Sequence, residues 1–210
     1  MKKIALYDID YTIISINSLS EFIFFMMRKY PLKFFYFVNM SFLFFLWLPG
    51  IISTRNIKEY FLKFFEKMSV DEVSDLAGQF FDSKILPRIK NGVMDNINKF
   101  RDEGYKIVLA TASFDFYLEK LIEYINPDYF FSTKVKIQDN TYVAKIDGKN
   151  CRDKEKINII LNVINESEID KKNSVSYSDS KSDLPFLEIT GQFNLVSRKK
   201  WHIIKTITNS

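Results

Sequence analysis

Apolar and polar positions divide the chain into a short opening strand, a long helical stretch and a final part in which strands and helices alternate. Ile4 to Tyr7 form an apolar run that stops at Asp8 and Asp10. A run that is apolar throughout and acidic at its end is typical of a central parallel strand buried on both faces. We therefore expect an opening strand whose carboxyl end carries two aspartates.

From Ser18 to about Leu86 the apolar residues follow helical spacing. Breaks at Pro31, at Pro49-Gly50 and near Ser69 predict about four helical segments. Ser69 also precedes two acidic residues, which indicates a helix N-cap followed by favourable charges at the positive end of the helix dipole. This region is predicted to be a helical insert.

Beyond Pro87 the pattern returns to alternation. The predicted elements are a helix to about Glu103, a strand from Tyr105 to Ala110, a helix near Phe116 to Tyr124, a strand from Tyr129 to Ser132, a hairpin turn at Asp139-Asn140, a helix from about Asp153 to Asn165, a strand from Ser174 to Ser178, a short helix near Asp183 to Glu188 and a last strand from Phe193 to Val196. Alternation predicts an α/β fold whose parallel sheet binds ligands at the carboxyl ends of its strands. We assign residues 1–12 and 87–210 to this core and residues 13–86 to the insert.

The composition is that of a globular protein in a reducing compartment. Of the 210 residues, 47% are hydrophobic and 27% are charged, which excludes a disordered or low-complexity chain. The single cysteine, Cys151, cannot form an internal disulfide, and we expect a cytoplasmic location. The net charge of +4 is too small to indicate a nucleic-acid partner.

Four groups of polar residues lie where an α/β fold places its chemistry. The first is the segment from Asp8 to Thr12, in which alternation puts the two aspartates on the same side of the extended chain. Thr111 ends the second predicted strand, and Lys156 lies in the first turns of a later helix. Asp179 and Asp183 follow another strand. Each group alone is ordinary, whereas all four in this order are distinctive.

In this order the motifs resemble those of the haloacid dehalogenase superfamily of phosphohydrolases: DxDx[TV], a strand-end Ser or Thr, a Lys, and an acidic pair after a strand. Thr111 to Ser113, Cys151 to Lys156 and Tyr177 to Pro185 look like the phosphoserine-phosphatase-like branch, subfamily IB. The resemblance covers Met1 to Thr12 and about Pro87 to Val196. It implies a Rossmann-like sheet core with an inserted α-helical cap.

The resemblance also implies a phosphatase that depends on Mg²⁺ and forms an aspartyl-phosphate on Asp8. Asp10 would be the general acid and base. Thr111 would donate a hydrogen bond to a phosphoryl oxygen, and Lys156 would balance negative charge. The implied ligands of Mg²⁺, which prefers hard oxygen atoms, are Asp8, Asp10, Asp179 and Asp183.

Several of these residues have a second interpretation. Thr111 would also suit a helix N-cap, and Lys154 competes with Lys156. Asp183 would orient Lys156 or a metal-bound water, or would simply start a helix. Ser113 would contact the substrate or cap the following helix.

The candidate substrate-binding residues are Tyr11, Thr12, Glu21, Arg55 and Ser113. Tyr11 stands where the superfamily often has glycine, and Arg55 is the nearest candidate for the cap arginine of the branch. Asn17 stands where the branch has an acidic residue, with Glu21 one helical turn further on. Because Thr111 to Ser113 also replaces the Ser-Gly-Gly of the branch, these departures count against phosphoserine as the substrate.

The insert is rich in aromatic residues and has no charged residue between Lys33 and Arg55. The aromatic residues considered are Phe22, Phe24, Phe25, Phe34, Phe35, Phe37, Phe42, Phe44, Phe45 and Trp47. In one interpretation these residues form buried cap helices, which would also suit a homodimer through the cap. In the other, an interfacial segment contacts an anionic membrane at its inner face and admits a lipid phosphate. The basic residues that flank this segment are Arg28, Lys29, Lys33, Arg55 and Lys58.

The expected substrate is a phosphomonoester, either small or a lipid phosphate such as phosphatidylglycerophosphate, on which some relatives in the branch act. A phosphoserine phosphatase is one alternative. A phosphotransferase or a non-catalytic phosphate-binding module on the same fold is the other. With His202 as the single histidine, no Ser/His/Asp triad is indicated.

Overall fold

The computed structural model describes residues 1–208, except for the side chains of residues 33–35, 37, 40, 41 and 44. The interpretation of Lys33, Phe34, Phe35, Phe37 and Phe44 as part of an apolar insert therefore concerns side chains outside those described.

A seven-stranded sheet lies at the centre of the described chain. Its strands are β1 (Ile4–Tyr7), β2 (Lys106–Phe114), β3 (Tyr129–Gln138), β4 (Thr141–Asp147), β5 (Val175–Ser178), β6 (Gln192–Val196) and β7 (Ile203–Thr208). Their order across the sheet is β4-β3-β2-β1-β5-β6-β7. The five central strands run parallel, and the two edge strands pair antiparallel with their neighbours. The predicted α/β fold with a mostly parallel sheet is confirmed.

Helices cover the sheet and form the insert. The α-helices are α1 (Ser18–Lys29), α2 (Phe34–Trp47), α3 (Thr54–Leu62), α4 (Val70–Phe80), α5 (Val93–Asp102), α6 (Glu119–Ile125) and α7 (Lys154–Leu161). Short 3₁₀ segments span Pro31–Lys33, Lys63–Phe65, Leu86–Arg88, Glu166–Glu168, Lys171–Asn173 and Lys181–Glu188, and a π-helical turn spans Phe81–Ile85. All the secondary-structure elements described between β1 and α5 are helices, as the spacing predicts.

Strand β1 is buried on both faces, which explains its continuous apolar run. Ala5 and Tyr7 pack into one hydrophobic cluster, and Ile4 and Leu6 pack into the cluster on the opposite face of the sheet. Because successive side chains of a strand point to opposite faces, only an apolar residue at every position satisfies both clusters. The carboxyl end of β1 is thereby fixed at the middle of the sheet.

The insert packs its aromatic residues against the core side of the sheet. The Phe22 ring in α1 lies 4.8 Å from Phe80 and 4.7 Å from Tyr117, measured between ring centroids. Ser69 caps α4 as predicted, because its hydroxyl accepts from the backbone N–H of Glu72 while the Glu72 carboxylate accepts from the Ser69 N–H. Aromatic packing and this capping box hold α1 and α4 in place.

Several strands differ from the sequence prediction, and β3 continues past Ser132 to Gln138. Strand β2 continues through Thr111 to Phe114, where Phe114 pairs with Thr133 after a register shift. Strand β7 was not predicted, because its residues are mostly exposed and lack the apolar alternation of a half-buried strand. The predicted hairpin turn is confirmed: Asp139 and Asn140 both have positive φ, 50° and 58°, as a type I′ turn requires.

The insert is also hydrogen-bonded to the β3–β4 hairpin. The Arg55 guanidinium donates to the carbonyl oxygens of Gly148 at 2.9 Å and Ile146 at 3.0 Å. At the hairpin tip the Lys67 N–H donates to the Tyr142 carbonyl, and the Tyr142 N–H donates to the Met68 carbonyl, both at 3.0 Å. The insert therefore contacts the core at a place far along the chain from its own two ends.

Helix α2 and the turn after it expose several large apolar side chains. Those with exposed surface are Val38, Phe42, Phe45, Leu48 and Ile51. The buried-cap interpretation is wrong for these side chains in the single chain. Among the described residues, no helix has both the length and the hydropathy that crossing a bilayer requires.

Candidate active site

The carboxyl ends of β1, β2 and β5 meet at one edge of the sheet and surround a cavity of about 220 Å³. Because parallel strands end on the same side, this is where the fold gathers polar residues that are distant in sequence. The described lining residues are Asp8, Asp10, Tyr11, Asn17, Thr111, Ala112, Arg152, Asp153, Lys156, Asp179, Ser180, Ser182, Asp183 and Arg198. The structure thus brings together the candidate catalytic residues and the candidate metal ligands. We call this space the polar cavity.

Lys156 connects two of these carboxylates. Its Nζ lies 2.7 Å from Asp8 Oδ1 and 2.9 Å from Asp183 Oδ1, and all three side chains are buried. Burial alone would lower the pKa of Lys156, but the attraction of Asp8 and Asp183 outweighs it, so the pKa is raised and the ammonium stays charged. Lys154, the competing lysine, is exposed to solvent. Of the two, Lys156 is the one that the structure places at the site.

Asp183 serves as an anchor for this lysine. Its Oδ2 accepts from the Ser178 hydroxyl at 2.7 Å and from Lys156 at 3.1 Å. Both carboxylate oxygens are therefore occupied by donors of the chain itself. Asp183 also lies in the first turn of the 3₁₀ segment Lys181–Glu188. Among the roles that the sequence left open for it, the geometry favours orienting Lys156 over direct metal ligation.

Asp8 is held in a mostly desolvated position. Burial raises the pKa of its carboxyl to about 7, even though Lys156 acts in the opposite direction. Thr12 lies behind it: the Thr12 hydroxyl accepts from the Asp179 N–H at 2.9 Å and is 3.4 Å from Asp8 Oδ2. Thr12 is fully buried and so is placed as a support for the loop rather than as a substrate contact.

Asp10 is fixed by the start of the insert and by β2. Its Oδ1 accepts from the Ser18 backbone N–H at 2.9 Å, and its Oδ2 accepts from the Ser113 hydroxyl at 2.7 Å. Burial raises the pKa of Asp10, and these donors act against that shift. Ser18 also donates from its hydroxyl to Ser113. Asp10 therefore occupies the junction between insert and core, with a carboxyl that retains its proton more readily than an exposed aspartate.

Thr111 and Ser113 both lie inside β2, not at the start of a helix. Helix α6 begins at Glu119 with Leu118 as its N-cap, so the capping interpretation of both residues is wrong. Thr111 lines the polar cavity, and its oxygen accepts from the Ser113 N–H at 3.1 Å, which leaves its hydroxyl hydrogen free to point to a ligand. Ser113 instead directs its hydroxyl at Asp10.

Tyr11 has a left-handed backbone, with φ of 55°. This conformation costs a residue with a side chain about 1–2 kcal/mol and costs glycine little, which accounts for the glycine that related motifs carry here. Lys90 donates to the Tyr11 carbonyl and, at 2.6 Å, to the Ser197 carbonyl. Arg198 lies over the Tyr11 ring and bonds Asp179 Oδ2 at 2.8 Å. These contacts hold the strained loop against the chain after β6.

Of the five candidate substrate-binding residues, only Tyr11 is among the described residues that line the polar cavity, and Thr12, Glu21, Arg55 and Ser113 are not. Arg55 binds Glu59 at 2.9 Å in addition to its two carbonyl partners on the hairpin, so its guanidinium joins the insert to β4. Glu21 lies in the first turn of α1 and does not line the cavity. The structure therefore does not support the roles expected for this arginine and this glutamate at the substrate.

Several residues at the site were missed in the sequence. Arg152 lines the polar cavity from the turn before α7, and Lys58 is buried on α3 with Nζ donating to Ala112 O and to Asn150 Oδ1, both at 2.5 Å. Ser178 and Arg198 were missed as well. Helical spacing from Lys156 does not mark Arg152, because Arg152 precedes the N-cap Asp153, whose backbone is not helical. Nothing in the sequence pattern marks Lys58 or Arg198.

A second cavity adjoins the first. It has a volume of about 610 Å³ and lies between α1, α2, α3 and the end of β2. Four residues line both cavities: Asp10, Asn17, Ala112 and Arg152. Away from that shared edge its described wall includes Leu19, Ile23, Phe45, Trp47 and Ile57. We call this space the apolar cavity.

The charges of the polar cavity suit a divalent cation. Five carboxylates and three cationic side chains line it, and burial raises the pKa of Asp8, Asp10 and Asp179. Excess negative charge would repel a phosphate unless a cation offsets it. No cluster of three or more His, Cys, Asp or Glu side chains spaced to hold a metal occurs in the described part of the chain. A metal here would need backbone, substrate or water oxygens as well, which Mg²⁺ readily accepts.

The comparisons with known proteins agree with this geometry. The family model of haloacid dehalogenase-like hydrolases matches residues 5–188. The chain belongs to this family. Among curated relatives, the phosphoserine phosphatase of Archaeoglobus fulgidus is 24% identical over 110 residues, which are 51% of this chain and 32% of the relative. That of Methanocaldococcus jannaschii is 21% identical over 51% of this chain and 52% of its own length. The match therefore spans between a third and a half of these relatives.

Solved structures show the same haloacid dehalogenase-like fold. A protein of unknown function from Bordetella pertussis Tohama I has a TM-score of 0.79 at 20% identity, over 90% of this chain and 86% of that chain. A phosphoserine phosphatase with a phospho-aspartyl intermediate analogue has a TM-score of 0.63 at 16% identity, over 91% and 85%. The predicted core with its helical insert thus has the fold of this family.

Proposed function

We propose that the protein is a Mg²⁺-dependent phosphomonoester hydrolase that forms a phosphoryl intermediate on Asp8. The observation that carries the proposal is the arrangement of Asp8, Asp10 and Lys156 in one cavity, with Asp8 2.7 Å from the lysine and Asp10 held by separate donors. Family membership and the similarity to phosphoserine phosphatases support it.

The reaction uses two carboxyl groups in different roles, with Asp8 as the nucleophile and Asp10 as the general acid and base. Asp8 Oδ attacks phosphorus, the bond from phosphorus to the ester oxygen breaks, and Asp10 gives its proton to that oxygen. Water then attacks phosphorus, the bond to Asp8 breaks, and Asp10 takes a proton from the water. The sum is monoester plus water giving alcohol plus phosphate. Ser18 and Ser113 hold the Asp10 carboxyl in place, and burial raises its pKa, which favours the protonated form that the first step uses.

Other residues of the polar cavity would stabilise the charge that moves. Lys156 would offset the charge of Asp8 and of the phosphoryl oxygens, and Thr111 would donate to one of those oxygens. Asp183 would keep Lys156 in place. The side chains of Asp8 and Asp179 with the backbone carbonyl of Asp10 would hold Mg²⁺, which when bound screens the negative charge of the phosphate and of the carboxylates.

The remaining assignments are also proposals. Residues 1–12 and 87–210 would form the catalytic core, and residues 13–86 would form a cap that excludes water from the reaction. The expected partner is a phosphomonoester, and phosphoserine hydrolysis and phosphoryl transfer to another acceptor are alternatives on the same residues. The exposed apolar side chains of α2 would contact either an anionic membrane at its inner face or a second subunit.

The test is hydrolysis of p-nitrophenyl phosphate with and without Mg²⁺. We expect turnover with the metal, loss of turnover in EDTA and recovery when Mg²⁺ is restored in excess. Full activity in EDTA would contradict the metal assignment, and no activity in any divalent cation would contradict the phosphatase. Glycerol added as an acceptor distinguishes the phosphotransferase, since a transferase would release p-nitrophenol faster than inorganic phosphate.

A further inference from the structure

We infer that the leaving group of the substrate is an extended apolar body, such as an alkyl chain, housed in the apolar cavity. This inference rests on the proposed phosphatase function and specifies its substrate class. It depends on three features of the site: where the general acid lies, how large and how apolar the adjoining space is, and which charges there are already paired.

The position of Asp10 fixes the direction of the leaving group. A general acid must reach the ester oxygen, at hydrogen-bond distance, to protonate it. Asp10 lines both cavities, whereas Asp8 and Lys156 line only the polar one among the described lining residues. A phosphoryl group beside Asp8 with its ester oxygen beside Asp10 therefore directs the rest of the substrate into the apolar cavity.

The size of that cavity is matched to a large group. Its volume of about 610 Å³ lies in the middle of the range for pockets that enclose drug-sized molecules, roughly 300–1,000 Å³. A small polar alcohol would leave most of this space to water against apolar side chains. Leu19, Ile23 and Ile57 are all only partly buried, so a ligand would cover apolar surface that is otherwise wet.

The charged groups of the apolar cavity are already engaged. Lys58 has three donors, and Ala112 O, Asn150 Oδ1 and Thr133 Oγ1 accept from its Nζ. Both oxygens of Asp10 accept from Ser18 and Ser113. An amino acid leaving group needs a carboxylate for its ammonium and a cation for its carboxylate. Among the described lining residues no second carboxylate is present, and Arg152 alone would have to supply the cation.

The polar atoms of Trp47 and Thr54 are also engaged with the chain itself. The Trp47 indole N–H donates to the Thr54 hydroxyl at 3.1 Å, and Arg152 donates to the same hydroxyl at 3.3 Å. Both Trp47 and Thr54 line the apolar cavity. With its nitrogen bonded to Thr54, the tryptophan contributes mainly its apolar ring surface to the body of a ligand.

The experiment compares straight-chain alkyl phosphates, from butyl to octyl phosphate, as monomers in the presence of Mg²⁺, with phosphoserine alongside. Burial of one methylene group is worth up to about a fourfold gain in affinity. We therefore expect kcat/KM to rise at least about tenfold from butyl to octyl phosphate, and phosphoserine to be the poorer substrate. Vesicles of phosphatidylcholine with phosphatidic acid identify the source of the chain: hydrolysis there indicates a bilayer lipid, and hydrolysis of free octyl phosphate alone indicates a dispersed amphiphile.

A matched pair of variants on α2 ties the effect to the cavity. Phe45 and Phe42 are 68% and 64% exposed, and of the two only Phe45 lines the apolar cavity. We expect Phe45→Asn to reduce the octyl-to-butyl ratio of kcat/KM severalfold and Phe42→Asn to retain the parent ratio. Because both side chains are exposed, neither substitution removes core packing.

The outcomes separate this inference from the function on which it rests. Turnover of p-nitrophenyl phosphate with equal kcat/KM for butyl and octyl phosphate, or with phosphoserine preferred, overturns the inference and leaves the phosphatase standing. An equal loss of the ratio in both variants also overturns it, because the effect would then not come from the cavity. A chain that hydrolyses no monoester with any divalent cation overturns the phosphatase, and the inference with it.

Discussion

Asp8 and Asp10 have identical side chains but different neighbours at the site. Asp8 faces a lysine, whereas Asp10 faces the first turn of α1 and a serine of β2. In the proposed reaction the same side chain would act as a nucleophile in one position and as a proton donor in the other, because the neighbours differ.

This difference yields a prediction for two single substitutions. Asp8→Asn should abolish turnover of every substrate, because no nucleophile remains. Asp10→Asn should retain more activity on p-nitrophenyl phosphate than on octyl phosphate, by about tenfold or more, since a good leaving group needs little protonation. Steady-state rates on both substrates measure the contrast, and Asp102→Asn on the exposed surface is the control. Equal losses on both substrates for Asp10→Asn would exclude it as the acid.

The strained loop offers a second test at the scale of one residue. Tyr11→Gly removes the ring and the cost of a positive φ, whereas Tyr11→Ala removes the ring and keeps that cost. The glycine variant should therefore be more stable than the alanine variant by about 1 kcal/mol, measured as the free energy of unfolding in urea. If the alanine variant is as stable as the glycine variant, the loop does not hold that strain.

Secondary-structure elements show which parts of the fold the sequence could predict. Strand β1 and the capping box of α4 were predictable because each rests on local residues, an apolar run and a Ser–Glu pair. The end of β2 was not, because Thr111 to Phe114 is held in the sheet by pairing with β3, a contact absent from any local pattern. Likewise Lys58 reaches the site only through the packing of α3 beside β2, so its spacing along the chain carried no sign of it.

Helix α2 carries a prediction of its own because it exposes apolar side chains beside basic ones. Lys29 lies just before it at the end of α1, and no acidic residue occurs between Glu21 and Glu59. Sedimentation with anionic phosphatidylglycerol vesicles should pull down the protein at low salt and much less at high salt, because screening weakens attraction to the surface. Neutral phosphatidylcholine vesicles are the control.

A double substitution tests whether the exposed apolar side chains of α2 and of the turn after it are responsible for vesicle binding. Phe42→Ser with Leu48→Ser should weaken vesicle binding about tenfold or more, since each exposed apolar side chain loses its burial in the interface. The melting temperature should stay within a few degrees of the parent, as both side chains are exposed. A parent chain that ignores anionic vesicles but sediments as a dimer would assign the face to a second subunit instead.

At the scale of the whole molecule, the proposed metal site predicts that folding and Mg²⁺ binding are coupled through buried carboxylates. Mg²⁺ at about a hundred times its Kd should stabilise the native chain by about 2.7 kcal/mol, which for a chain of this size raises the melting temperature by several degrees. The Mg²⁺-dependent rise in melting temperature should be small at pH 5 and larger at pH 8. Burial raises the pKa of Asp8 from 3.8 to about 7, so at pH 5 the metal must first displace a proton that at pH 8 is already lost.

Scanning calorimetry at both pH values measures this coupling. Asp179→Asn should remove most of the Mg²⁺-dependent rise, and Asp102→Asn, which is exposed and does not line the polar cavity, should keep it. If Mg²⁺ raises the melting temperature equally in the parent and in the Asp179 variant, the Asp179 carboxylate does not bind the metal.

The bonds between the insert and the β3–β4 hairpin bear on how quickly the reaction could cycle. A lid joined to its base only by two chain crossings can swing open by rotating a few backbone torsions. Here Arg55 and the residues near the Ser69 cap are also hydrogen-bonded to the β3–β4 hairpin. The chain after this hairpin continues through Asn150 to Arg152, which lines the polar cavity. Opening must either break those backbone-directed bonds or carry the hairpin along, and in the latter case Arg152 moves with it. Exit of the freed alcohol and reshaping of the phosphate pocket would then be one motion, and the strength of these hydrogen bonds would affect how quickly that motion occurs.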